Sequence, residues 1–226
     1  MGVRRQQRGR PGTRGTRGGS APRGALRDRA RAVIRDAMLD AAERVFATAG
    51  YQGARMVDVA AAAGVATGTL YNYFENKQTL FQSLVERRLA EYNARIAAAC
   101  AAVSAPDDEL RALVRVSFEF LDAHRAIYRV FAELGGGSMM GVRVVGGAAA
   151  AALQEEYLRT YQRVVAHLLA AGRLRTDAPA GQITAFLIGT MTGAVQDWMM
   201  TGDAAPLSAR AALVCDLFLS GAGAKP

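Results

Sequence analysis

The stretch VATGTLYNYFENKQTLF, residues 65–81, places Gly68 inside what otherwise reads as a short helix over 67–74. Glycine in a helix interior costs about 1 kcal/mol relative to alanine, so stability alone would not choose it. At 100° per residue, Leu70 and Phe74 lie about 40° apart and form the core-facing side. Gly68 and Asn72 then point away from the core. Thr67 and Tyr71 fall toward one flank, Thr69 and Tyr73 toward the other. This layout suits a helix lying in the major groove of DNA. A small outward residue lets base edges approach, the Asn72 amide matches adenine N6/N7, and hydroxyls on both flanks reach the phosphates along the groove. Lys77 opens the next helix and is expected to add a cation beside its free backbone N–H groups, a phosphate clamp.

Immediately upstream, Val59, Ala60 and Ala63 mark the inner face of a helix over about 56–63, and a turn at 64–66 contains Gly64. The pair reads as a helix-turn-helix. Ala-rich helix pairs joined by glycine also occur in plain bundles, and spacing alone leaves both readings open. Charge favours the first. Residues 1–24 hold seven arginines and no acid, residues 1–96 sum to +9, and residues 97–226 sum to −1. A cationic front half fits a polyanion partner.

VDVAAAAGVATGTLYNYFENKQTLF (57–81) closely resembles the signature of the TetR family of bacterial transcriptional regulators, and with the preceding helix the likeness covers about 31–81. The resemblance implies an all-α fold: an N-terminal three-helix helix-turn-helix DNA-binding domain and a C-terminal helical domain for ligand binding and dimerisation. By matched position, it assigns operator contacts to Thr67, Gly68, Thr69, Tyr71, Asn72, Tyr73 and Lys77. Two positions depart from the family pattern. Ala66 stands where a capping Ser is common, and Arg55 stands where a Ser or Thr caps the preceding helix. Arg55 is expected to reach a phosphate directly.

The remaining chain is read as helices throughout, with no strand and no internal repeat. Ile34, Met38, Ala41 and Val45 share a face of a first helix that ends near Gly50 in a left-handed cap. Asn76 caps a helix running to about 101. Further helices follow around 110–121 and 127–134, then over 148–172, 179–201 and 206–220, with 135–147 a Gly-rich connection. The expected divisions are a disordered Arg/Gly-rich arm at 1–26, a DNA-binding domain at 27–81, an effector-binding and dimerisation domain at 82–221 sharing its first helix with the DNA-binding domain, and a tail at 222–226. The arm is either a DNA-contacting extension beside each half-site or a plain disordered tail.

Nothing in 102–226 forms a catalytic constellation. Ser138 lacks the G-x-S-x-G context, and no G-K-[ST] follows the glycines of 135–147. His124 and His167 stand singly and are expected to be surface or hydrogen-bonded residues. Cys100 and Cys215 lack metal-ligand spacing and read as reduced thiols, so neither a metal nor a cofactor is expected. The apolar run 183–195 has 13 residues, against the ~20 of a membrane span. With no apolar stretch behind the basic start, the protein is expected in the cytoplasm.

An apolar surplus in this half comprises Phe118, Leu121, Tyr128, Phe131, Met139, Met140, Tyr157, Tyr161, Met191 and Trp198. Methionines and aromatics near a Gly-rich segment suit a pocket that repacks around an apolar or amphipathic effector. The resemblance implies such a pocket, with ligand entry moving the helix-turn-helix pair apart. Arg125 and Arg129 are either exposed or available to an acidic head group. Two-fold operators require two-fold dimers, and 148–172 with 179–201 are expected to pair as a four-helix bundle, Gly189 and Gly193 clearing one face. The function expected is a ligand-responsive DNA-binding regulator: a homodimer that represses from a palindromic double-stranded operator and is released by its effector. The alternative is a non-specific nucleic-acid-binding protein driven by the basic arm.

Overall fold

A computed structural model of the chain describes residue 2 and residues 21–136, 139–202 and 205–222; the side chains of 21–23, 136, 139–144, 147–148 and 222 fall outside that description. The chain divides into two compact units, Met1–Asp36 and Ala37–Pro226. In element order the helices are α1 (Ala21–Gly53), α2 (Met56–Ala62), α3 (Thr67–Tyr71), α4 (Lys77–Ala101), α5 (Pro106–Ala123), α6 (Arg125–Phe131), α7 (Met139–Ala170), α8 (Ala180–Thr201) and α9 (Ala211–Ala222). A π-turn, Ala132–Gly136, extends α6, and a 3-10 turn, Leu207–Arg210, leads into α9. Among the described residues there is no strand.

Most of the basic arm expected at 1–26 lies outside the described residues. Its last part is corrected, because α1 already begins at Ala21. Pro22 is compatible with that start, since the first turn of a helix has no use for its missing N–H. Near its other end α1 bends at Gly50, with φ 69° and ψ 175°. The positive φ explains the glycine, but the extended ψ makes a bend rather than the expected left-handed cap. A last short turn then closes with Ala54 N–H donating to Gly50 O at 3.2 Å.

Two apolar cores hold the unit Ala37–Pro226 together. In the first, Met38, Leu39, Ala42 and Phe46 of α1 meet Val59 and Ala60 of α2, Leu70 of α3, Phe74, and Leu80, Phe81 and Leu84 of α4. Phe46 and Phe81 pack edge to face at 5.1 Å. In the second, Ile96 and Cys100 of α4 join Leu113 and Phe118 of α5, Tyr161 and Val165 of α7, Leu187 and Trp198 of α8, and Val214 and Phe218 of α9. α4 is thus rooted in both. Ile127 and Val130 of α6 belong to the first core, which brings α6 against the helix-turn-helix.

Helix starts follow their sequence signals. Asn76 caps α4 in a reciprocal box: its Oδ1 accepts from Thr79 N–H at 2.9 Å, and Thr79 Oγ1 accepts from Asn76 N–H at 3.1 Å, worth about 1 kcal/mol. Pro106 and three acids, Asp107, Asp108 and Glu109, occupy the first turn of α5, where carboxylates favour the helix dipole. The Gly-rich connection expected over 135–147 is corrected. From Met139 onward it is the first part of α7. Gly146 is there for close packing: a Cβ would collide with the Ala150 methyl and lie 3.4 Å from Val85 Cγ1 on α4.

Candidate DNA interface and effector cavity

The turn between α2 and α3 needs Gly64. Its φ is +68°, and around it Val65 N–H donates to Ala60 O at 3.0 Å while Gly64 N–H donates to Ala61 O at 3.1 Å, closing α2 with its orphan carbonyls satisfied. Gly68 differs. It is exposed and helical, and an added Cβ would meet nothing within 4 Å. Neither backbone conformation nor internal packing accounts for it.

Leu70 and Phe74 are buried as expected, while Tyr71 and Asn72 are exposed and Thr67 and Thr69 half-buried. α3 is shorter than the 67–74 expected. It ends at Tyr71 with Asn72 as its C-cap, so Tyr73 leaves the helix and packs partly buried against the first core, 6.4 Å from the Phe74 ring. Ala66, the N-cap of α3, makes no side-chain capping bond.

Arg55 pairs with Asp58 through two hydrogen bonds of 2.8 Å. Arg55 is exposed and Asp58 partly so, and the bonds to each other hold Asp58 below, and Arg55 above, their ordinary values. Lys77 is corrected. Its ammonium donates to Tyr51 O at 2.8 Å, Ala54 O at 3.1 Å and Gln52 O at 3.2 Å, and sits 4.7 Å over the Tyr51 ring. Carbonyls freed by the bend at Gly50 collect the cation, which therefore fastens α1 to α4 instead of projecting toward a phosphate.

A cavity of about 220 Å³ opens between α4, α5, α6, α7 and α8. Seven of the expected effector residues line it: Phe118, Leu121, Tyr128, Phe131, Tyr157, Tyr161 and Met191. Met139 and Met140 have side chains outside the described set. Trp198 is corrected: it is buried in the second core, donates Nε1–H to Ala205 O at 3.2 Å and carries the Arg125 guanidinium 4.3 Å from its ring. That stacking also removes Arg125 from the exposed class; Arg129 is exposed.

Polar groups collect at two points of the cavity wall. At one, Tyr92 OH donates to Ser117 Oγ at 3.0 Å, Tyr161 OH lies 3.0 Å from Tyr92 OH, and Ser117 Oγ donates to Leu113 O at 2.6 Å. Burial pushes the phenols of Tyr92, Tyr157 and Tyr161 up, so they stay protonated. At the other, Arg88 and His124 line the wall and both reach Glu43 of α1. Arg88 Nε donates to Glu43 Oε2 at 3.0 Å, with Nη2 closer still, and His124 Nδ1 lies 3.1 Å from Glu43 Oε1. Burial raises the Glu43 carboxyl, but the bonds and charges of His124 and Arg88 outweigh it and hold it at about 2.

His167 is bonded to Glu109 Oε2 at 2.6 Å, so both histidines have partners. Cys100 and Cys215 are buried thiols pushed up to about 11 by that burial. Among the described residues no cluster could hold a metal ion, and no helix is long and apolar enough to cross a membrane.

The profile of the bacterial regulatory proteins, tetR family, matches residues 38–84, from α1 through α3 into α4. Over these residues the chain is similar to the tetR family. Its relatives include the fatty acid metabolism regulator protein of Bacillus subtilis, 23% identical over 185 residues, which span 81% of this chain and 93% of that one. Among solved structures, a transcriptional regulator FadR from Bacillus subtilis in complex with stearoyl-CoA superposes with a TM-score of 0.71 at 22% identity, covering 82% of this chain and 97% of the other. The fatty acid degradation regulator FadR from Bacillus halodurans gives 0.69 at 24%, covering 82% and 98%. At these identities the structures establish the fold. The matched segment is a helix-turn-helix of the kind found in bacterial regulatory proteins, and the relatives named are regulators.

Several residues of the cavity escaped the sequence: Arg88, Tyr92, Ser117, His124 and Gln154. A usable signal existed. Val85, Leu89 and Tyr92 follow a 4-3 spacing on α4, and a tyrosine on such an apolar stripe needs a buried hydroxyl partner.

Proposed function

We propose that the protein is a homodimeric repressor that binds a palindromic operator in the cytoplasm and is released when an apolar or amphipathic effector fills the cavity between α4 and α8. Exposed, unpacked Gly68 carries the proposal, since a helical glycine that the protein's own packing does not require points to close approach from outside. Around it, Thr67, Thr69 and Tyr71 supply hydroxyls for phosphates, and Asn72 supplies an amide for a base edge. Arg55 can exchange Asp58 for a phosphate, and Tyr73 borders the same surface. Division of labour between 27–81 and 82–221 belongs to the same proposal, with α4 shared. The mostly apolar cavity supports the effector class, as does the likeness to the fatty acid metabolism regulator protein of Bacillus subtilis.

The dimer is assigned to α8 and α9. The outer face of α7 carries Glu155, Glu156, Arg159 and Arg163, all exposed, which disfavours the pairing of 148–172 expected from the sequence. α8 and α9 pack together, and beside one another they expose Phe186 (71%), Met200 (87%), Leu213 (59%) and Leu217 (57%). Gly189 and Gly193 lie exposed with open space above them.

DNA binding to the region upstream of the protein's own gene, against a scrambled duplex at two salt concentrations, tests the proposal. Selective binding as a dimer is expected. Asn72→Ala should relax preference at one operator position by roughly 1–3 kcal/mol, whereas Tyr71→Phe should weaken all sequences alike. Equal, steeply salt-dependent binding to both duplexes would instead favour the basic arm as a non-specific nucleic-acid binder.

A further inference from the structure

The polar corner of the cavity has an unusual composition. Two basic side chains in its wall, Arg88 and His124, are held by a carboxylate that comes from the DNA-binding side, Glu43 of α1. All three side chains are largely buried, with relative exposures of 22%, 16% and 18%. An ionised carboxylate only accepts hydrogen bonds, so His124 Nδ1 must carry its proton toward Glu43. Arg88 also donates to Glu91 Oε2 at 2.6 Å, and Arg87 Nη2 approaches Glu43 Oε2 at 3.9 Å while bonding Asp40 at 2.7 Å. The His124 ring lies 4.5 Å from that of Phe120, itself a lining residue. His124 is also the joint between α5 and α6.

We infer that Glu43 is an internal stand-in for the head group of the effector, which is therefore an apolar chain ending in an anion such as a carboxylate. The inference rests on the effector reading of the cavity given above. Carboxylate-for-carboxylate exchange keeps the charge balance of Arg88 and His124, so the head group need only match what Glu43 already provides. What changes is α1. With Arg88 and His124 taken, Glu43 loses its two hydrogen-bonded partners and keeps the more distant Arg87 guanidinium, 3.9 Å away and already bonded to Asp40, in a site that excludes much of the water, a costly state. It is relieved when α1 shifts and carries Glu43 to solvent. α1 shares its apolar core with Leu70 and Phe74, so the shift reaches the recognition helix. A neutral ligand of the same length would fill the cavity without displacing Glu43.

Decanoate and decan-1-ol, identical in chain and different in head, are the probes. Their binding to the full-length protein is measured by calorimetry, for the wild type and for Glu43→Gln, with operator release followed in parallel. Removing the competing carboxylate should tighten decanoate at least about tenfold, leave decan-1-ol within about twofold, and make operator binding less responsive to decanoate. His124→Gln works in the opposite direction: it removes one partner of the head group and should lower the acid-over-alcohol preference about fivefold, which keeps the test decisive if Glu43→Gln does not fold. Binding of both probes with an acid-to-alcohol ratio unchanged in both variants would overturn this inference alone. Failure of either probe to bind either folded protein would overturn it together with the effector role of the cavity.

Discussion

Replacing Lys77 by methionine separates two roles that the sequence merged. In the structure its ammonium serves three carbonyls, those of Tyr51, Gln52 and Ala54, at 2.8 to 3.2 Å. Each bond is charge-assisted, a class worth roughly 1.5–3 kcal/mol net. The carbonyls are only partly buried and can turn to water when the cation is gone, so the three together should contribute about 2–3 kcal/mol. For a chain of this size, that corresponds to a fall of roughly 4–12 °C in melting temperature. Lys77→Arg should recover only part of it, because a planar guanidinium does not converge on three carbonyls as an ammonium does. Operator affinity measured across salt gives the second readout. A lost phosphate contact lowers the salt slope by about 1 per site, whereas a fastening of α1 to α4 leaves the slope unchanged. Calorimetric melting and salt titration of the variant decide the matter. An unaltered melting temperature with a reduced slope would refute the structural role.

Two further outcomes follow from the geometry. Glu43 has a folded-state carboxyl at about 2, below its ordinary 4.5, so its stabilisation is fully present above pH 4.5 and disappears as pH falls toward 2, amounting to at most about 3 kcal/mol. Urea unfolding of wild type and Glu43→Gln from pH 6 to pH 2 should show the gap between them closing over that window, and parallel curves would remove the assignment. Leu217→Lys places a charge in the exposed apolar face of α8 and α9; sedimentation at micromolar concentration should show monomers and operator affinity should fall, while Gln162→Lys on the polar face of α7 leaves the dimer intact.

Apolar spacing made most helices legible, because each buries one continuous stripe: Leu70 with Phe74, and Leu80 through Ile96. The cap at Asn76 and the proline at the first turn of α5, Pro106, mark two of their starts. Glycine was the weak point of such reasoning. Gly50, Gly68 and Gly146 look alike in sequence, yet one bends the chain, one leaves an outward face bare and one lets two helices touch. Only the neighbours in space tell them apart. The cavity was legible where bulky apolar residues lined it, and opaque where ion pairs did. Arg88, His124 and Glu43 lie on three different elements, and nothing in their spacing announces that they meet. Trp198 was misplaced for a related reason: a large apolar ring fits a pocket or a core equally well until its hydrogen-bond partner is known.

α4 spans 25 residues, about 37 Å at 1.5 Å per residue, with its first turns in one apolar core and its last in the other. It is a lever with a load at each end. A tilt of about 5° about its C-terminal root would carry its start sideways by about 3 Å, close to the 3.4 Å rise along the duplex axis from one phosphate of a strand to the next. In the proposed dimer, very little movement around the cavity would put the two recognition helices out of step with the pitch of an operator.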